Sequence, residues 1–177
     1  MLSILGILLI GSGVAQAEKM HGLAMHGIPK YDKNFTHLSY VNPDAPKGGA
    51  LRFGSYGSFD NLNRVAFKGS KASGLGYIND TLMRRVWDEA FTLYGLIAEY
   101  IDMPEDRSSI TFFINPDARF HDGSPITRDD VLFSLHTFQT KGTPNQKKTY
   151  GKVVETQMVG DNGIKMIFVD NEDKELP

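Results

Sequence analysis

The 177-residue sequence contains no cysteine. That excludes disulfides, thiolate metal sites, cysteine nucleophiles and a lipid attached through cysteine. Neither sign of charge is in excess: 19 Lys and Arg stand against 21 Asp and Glu, a formal net charge of −2. With that balance the chain has no general basic field, and nucleic acid is not an expected partner. No apolar run reaches the about 20 residues that a membrane-spanning helix needs. Catalytic signatures are missing as well. There is no G-x-S-x-G elbow, and Lys68-Gly69-Ser70-Lys71 lacks the spacing of a phosphate loop. Gly74-Leu75-Gly76 opens like a dinucleotide fingerprint but has no third glycine, and reads as a loop before a helix. His21, His26, His37, His121 and His136 form no H-E-x-x-H or other known ligand spacing. They read as solvent-facing or turn residues, so no metal, cofactor or catalytic residue is expected.

What is present is the balance of an ordinary globular protein, 41% hydrophobic and 23% charged. A chain of this size can bury roughly two thirds of its unfolded surface, enough for a core. The stretch from Met1 to Ala17 stands apart. Leu2 to Ile10 is apolar, Gly11 to Val14 is small, and Ala15-Gln16-Ala17 has the A-x-A form of a signal-peptidase site. No Lys or Arg precedes the apolar run, and the competing reading is a buried N-terminal helix. Residues 1–17 are taken as a signal peptide, with the mature chain starting at Glu18. Because no cysteine follows the cleavage site, the product is expected in a periplasm, soluble and not a lipoprotein.

The remainder reads as mixed α/β. Glu18 to Gly49, rich in Gly, Pro, His and Asn, reads as an irregular or extended leader, and Ala50 to Gly54 as a strand. Gly57 to Asn63 reads as a loop. Leu75, Ile78, Leu82 and Val86 have helical spacing and predict a helix over 75–87, with a second over 93–100. Ser109 to Ile114 is β-branched and aromatic and stops at Asn115-Pro116-Asp117, which predicts a strand. Phe120 to Gly123 predicts a turn. Thr127 and Asp130 fit a capping box, opening a helix with Val131, Leu132, Leu135 and Phe138 on one face and ending near Gly142. Thr143 to Lys148 reads as a polar loop. Val153–Val159 and Ile164–Val169 flank Gly160-Asp161-Asn162-Gly163, a hairpin signal.

Several of these stretches carry a resemblance. Gly48-Gly49, then Leu51-Arg52-Phe53-Gly54 and Ser58-Phe59-Asp60-Asn61-Leu62-Asn63, is similar to the opening of family-five extracellular solute-binding proteins. Thr92 to Glu99 resembles the segment that begins their small subdomain, and Pro116 to Thr127 with Asp129-Asp130-Val131 resembles their best-known stretch. His21 to Gly27 and Val41 to Gly49 point to the YejA-like oligopeptide-binding branch.

The resemblance implies a receptor of ABC importers for oligopeptides, dipeptides, nickel and related cargo, and not an enzyme. It implies a type 2, two-lobed, periplasmic-binding-protein-like α/β fold, a monomer at full length, that delivers its ligand to ABC permease subunits in the inner membrane. Family members are several times longer, so residues 18–177 are expected to be the N-terminal part of lobe one with its small subdomain, without hinge or second lobe. The loop after the first strand would approach the cargo, which makes Tyr56, Gly57, Ser58, Phe59 and Asp60 the candidate ligand-binding residues. Tyr56 and Phe59 would pack on a peptide, while Gly57 and Ser58 would bond its main chain. Competing roles are core packing for Phe59 and satisfaction of turn amides for Asp60. Two other classes stay open, a stand-alone secreted interaction module and a small secreted hydrolase.

Overall fold

The computed structural model describes residues 19–65 and 68–169. The signal-peptide expectation falls on residues outside that range. Two antiparallel sheets organise the described residues. The smaller contains β1 (Gly22–Ala24), β2 (Met83–Arg85) and β3 (Thr92–Gly95), in the order β1-β3-β2. The larger contains β4 (Ala98–Asp102), β5 (Ser109–Ile114), β6 (Val153–Val159) and β7 (Gly163–Phe168), in the order β4-β5-β7-β6. Between β5 and β6 run α1 (Arg128–Lys141) and α2 (Pro144–Tyr150).

The core sits where α1 covers one face of the larger sheet. Pairing sets Ile110 opposite Met166 and Phe112 opposite Ile164, so the alternate residues of β5 and β7 fall on one face. Ile101, Ile110, Ile114, Val153, Ile164 and Met166 cluster there with Leu135 of α1 and Leu23 of β1. Val131 and Leu132 pack against the same cluster, as the apolar face predicts. Phe138 instead stacks on Tyr150 of α2, with ring centroids 4.8 Å apart.

The cap of α1 is as expected. The Thr127 hydroxyl accepts from the Asp130 amide, and the Asp130 carboxylate accepts from the Thr127 amide at 2.8 Å. These bonds hold the Asp130 carboxyl below its ordinary range, first through the Thr127 hydroxyl and then through the Thr127 amide. Thr127→Ala is expected to cost about 1 kcal/mol of stability, read as a lower urea midpoint with an unchanged slope. An unchanged midpoint would mean that the cap contributes nothing to α1.

Four expectations are corrected. No helix spans 75–87; a single 3-10 turn at Leu75–Tyr77 is followed by β2. The cause is local. A helix would give the Leu75 carbonyl to the amide of Asn79, but the Asn79 side chain takes it, Nδ2 donating at 2.8 Å. No helix spans 93–100 either, since Thr92 and Tyr94 are buried with the period of a strand. At Gly95 an added Cβ would run into the Ala98 carbonyl oxygen, so only glycine allows β3 to pass so close to β4. The stretch 143–148 is not a loop. Thr143 caps α2 through the Gln146 amide, Gln146 returns the bond, and Pro144 occupies the first turn. Finally, Ala50 to Gly54 forms no strand, because no segment among the described residues pairs with it.

Three further expectations hold. β5 covers the expected strand, Gly123 turns with φ 87, and β6 and β7 form the hairpin, with Gly160 at φ 53.

Candidate functional site

Tyr56 to Asp60 follow the unpaired stretch 50–55 and enter a tied loop. The tie lies at its far end. The amides of Asp60 and Asn61 both donate to the Ser70 carbonyl, at 3.0 and 3.2 Å. Asp60 Oδ1 accepts from the Ser70 amide at 2.7 Å, and Asn61 Nδ2 donates to the Lys68 carbonyl at 3.0 Å. Gly69 is required here: its φ is 89, and a Cβ would come within 2.6 Å of Asp60 Oδ1. On the near side, the hydroxyls of Ser55 and Ser73 lie 2.8 Å apart. Between these anchors the side chains of Tyr56 and Phe59 stand in solvent, Tyr56 fully so and Phe59 at 60% exposure.

The five residues are therefore neighbours on one exposed loop with two chemical characters. Tyr56 and Phe59 offer aromatic faces. Gly57, at φ 99, turns the chain and, like Ser58, has its backbone open to solvent among the described contacts. Asp60 is engaged with its own loop, so it positions the others. Arg119 to Gly123 do not join this loop. Arg119 spans back to the carbonyls of Pro116 and Ala118, and Asp122 Oδ1 accepts from Ser124.

A second constellation was not read from the sequence. Asp88 Oδ2 accepts from Lys30 Nζ at 2.5 Å, from the Tyr31 hydroxyl at 2.6 Å and from the Ser39 hydroxyl at 2.8 Å. Beside it, the Tyr94 hydroxyl donates to Glu89 Oε2 at 2.5 Å and accepts from the Tyr31 amide at 3.0 Å. Lys30, and then Tyr31, hold the Asp88 carboxyl far below the carboxylate range. Burial, and then the bond to Glu89, push the Tyr94 phenol up to about 12. Burial opposes charge on Glu89, but the bonds from Tyr94 and from the Lys30 amide outweigh it, and its carboxyl titrates below the usual value. These groups satisfy one another and leave no vacant donor set. They fasten the leader to the smaller sheet. Their signal in the sequence was faint: Asp88-Glu89 lies outside every element read there, and its partners lie far back in the leader.

Among the described residues no group of three or more His, Asp and Glu is placed to hold a metal ion. No described helix is long and apolar enough to cross a membrane.

The comparisons bear on the sheets more than on the loop. Residues 92–174 match the model of bacterial extracellular solute-binding proteins, family 5 middle. The match begins at Thr92, where the sequence resemblance placed the start of the small subdomain, and it covers the larger sheet and both helices. The resemblance to family-five solute-binding proteins thus has a family match behind it over residues 92–174, and the described residues are mixed α/β. The peptidoglycan-binding protein YepA of Agrobacterium fabrum is 39% identical over 99% of this chain and 30% of its own length. The YejA protein of Escherichia coli strain K12 is 44% identical over 83% of this chain and 25% of its own. The chain thus spans less than a third of either relative. The oligopeptide-binding protein AppA of Bacillus subtilis, solved with a nonapeptide, is 20% identical, with a TM-score of 0.49 over 63% of this chain and 22% of that one. The family is one of solute-binding proteins, in keeping with a binding role.

Proposed function

We propose that residues 18–177 are the N-terminal part of lobe one of a periplasmic oligopeptide-binding protein that serves an ABC importer, with residues 1–17 as its export signal. In the complete protein the loop Tyr56, Gly57, Ser58, Phe59 and Asp60 lines the cleft. The single observation that carries this reading is the family-5 match, joined without a break to an upstream loop that is tied by Asp60 and displays two aromatic rings. Such a loop suits an extended peptide. Main-chain groups supply affinity that does not depend on sequence, and aromatic faces add contact that tolerates varied side chains. Closure over the cargo and delivery to permease subunits belong to the whole protein, through a hinge equilibrium biased by contacts to both lobes.

The test starts from the native protein in a periplasmic extract. Its intact mass is expected well above the 19.7 kDa of this chain. Peptides are expected to elute from it on denaturation and to be identified by mass spectrometry. Tyr56→Ala with Phe59→Ala in that protein should lower peptide occupancy about tenfold or more. A native mass no greater than that of this chain, or a preparation that carries no peptide at saturating supply, would overturn the reading.

The relative described as peptidoglycan-binding favours a narrower cargo class, peptides derived from cell wall. Recovered cargo containing D-amino acids would select it over general oligopeptides.

A further inference from the structure

The fold begins close behind the expected cleavage site. Only Glu18 and Lys19 separate Ala17 from Met20. The Met20 amide donates to the Ile101 carbonyl at 2.8 Å, and the Ile101 amide donates back to the Met20 carbonyl at 2.7 Å. The His21 carbonyl accepts from the Gly95 amide at 3.0 Å. Gly22, Leu23 and Ala24 pair with Tyr94, Leu93 and Thr92, and the Met25 amide donates to the Phe91 carbonyl at 3.0 Å. The backbone is thus paired without a gap from Met20 to Met25.

Side chains fix the same stretch. Leu23 is buried in the core cluster, and Met20 packs against it. His21 Nε2 donates to the Tyr31 carbonyl at 2.7 Å, and the Lys19 ammonium lies 4.2 Å from the centre of the Tyr100 ring. β3 belongs to the smaller sheet, while Ile101 sits in β4, the edge of the larger one. Residues 20–24 therefore clip the two sheets together.

A protease takes its substrate as an extended strand and pairs with main-chain groups on both sides of the scissile bond. Glu18 and Lys19 together reach at most about 7 Å. That is too little to carry the Ala17–Glu18 bond into an active-site cleft while Met20 stays paired. With residues 1–17 taken as the export signal proposed above, we infer that docking of residues 20–24 closes the cleavage site, so that signal peptidase acts only while this stretch is undocked. In the hydrolysis the Ala17–Glu18 amide bond breaks, and water supplies a hydroxyl to the Ala17 carbonyl carbon and a proton to the Glu18 nitrogen. Its rate scales with the fraction of chains in which residues 20–24 are open. Processing therefore precedes closure of the two sheets, and a precursor that folds first keeps its signal attached.

The complete precursor, either folded or diluted from urea at the moment of mixing, is treated with signal peptidase in detergent. Loss of residues 1–17 is followed by intact mass. The folded precursor is expected to be cut about tenfold or more slowly than the unfolded one. A linker of about six Gly and Ser residues between Lys19 and Met20, about 20 Å at full stretch, should bring the folded rate up to the unfolded one. The same linker between Gly48 and Gly49 should leave the folded precursor slow. At Gly22 an added Cβ would come within 3.1 Å of the Tyr94 ring and 3.2 Å of the Leu93 carbonyl oxygen, so Gly22→Val should loosen β1 and speed cleavage. Equal rates for folded and unfolded precursor, or a Lys19–Met20 linker variant as slow as the wild type, would overturn the inference. A precursor left uncut after Ala17 even when unfolded would overturn the export-signal reading, and this inference with it.

Discussion

Ile164→Ala is expected to destabilise the chain by about 2–5 kcal/mol, the range for truncating a buried aliphatic side chain to Ala in a packed core. Ile164 is 0% exposed. It stands opposite Phe112 on one neighbouring strand and Met158 on the other, so its side chain reports on both pairings of β7. Losing it removes apolar burial and leaves a cavity that rigid neighbours cannot fully close. Typical domains have only about 5–15 kcal/mol in total, so a fall in Tm on the order of 10 °C is the expected reading. Phe133→Ala, on the exposed side of α1, is the contrast and should stay within about 0.5 kcal/mol. Equal losses at the two positions would mean that the α1-covered face is not the core.

The elements of that core were legible in the sequence because their signals are local. β5, α1 and the β6–β7 hairpin each carry their own punctuation: Asn115-Pro116-Asp117, the Thr127–Asp130 box, and the Gly160 to Gly163 turn. In each case the residue that ends or starts the element sits within a few positions of it. The capping box of α2 is equally local, and Thr143-Pro144-Asn145-Gln146 was legible by the same rule that located α1. Its lysines and amides masked it, since α2 buries no residue and offers no apolar stripe.

The misread stretches failed for another reason. Leu75 to Trp87 has the apolar spacing of a helix, but one side-chain amide, that of Asn79, claims the carbonyl on which the helix depends. Leu93 to Tyr100 holds two short strands: β3 alternates for only four positions, and a bulge between Ala98 and Tyr100 sets the buried residues of β4, Ala98 and Ile101, three apart, a spacing that imitates a helix. The stretch 50–55 shows the limit from the opposite side. Its alternation is that of a strand, but a strand exists only with a neighbour, and none pairs with it among the described residues. The candidate loop that follows was located from resemblance. Only the role of Asp60 in satisfying turn amides came from residue chemistry, and the Ser70 amide is the partner it takes.

Asp88→Ala is expected to release the leader while leaving the larger sheet folded. One oxygen, Asp88 Oδ2, accepts from Lys30, Tyr31 and Ser39; its removal leaves the Ser39 hydroxyl without that acceptor and Lys30 and Tyr31 with only Ser39 Oγ, at 3.3 and 3.0 Å. Tyr31 is buried, with its ring 5.6 Å from that of Tyr94, so the loss passes into an aromatic cluster that also contains Phe35. Hydrogen exchange should quicken at the amides of Tyr31 and Ser39, which donate to the Tyr94 and Tyr31 hydroxyls, and stay slow in β5 and β7. The pH dependence follows from the signs of the shifts. Asp88 and Glu89 titrate lower in the fold than their ordinary values of 3.8 and 4.5, so their contribution is complete above those values and fades as pH falls through the depressed ones. Tyr94 titrates higher, about 12 against 10.0, so its contribution is complete below pH 10 and is lost as pH rises towards 12. Attachment of the leader should therefore be level from about pH 5 to 10, weakening in strong acid and strong base. Tyr94→Phe should remove the tyrosine's share of the alkaline arm, leaving that of Lys30, which the bond to Asp88 raises above its ordinary value, and leave the acid arm set by Asp88. If exchange at Tyr31 and Ser39 is unchanged in Asp88→Ala, the aromatic cluster alone holds the leader, and the carboxylate does no more than decorate it.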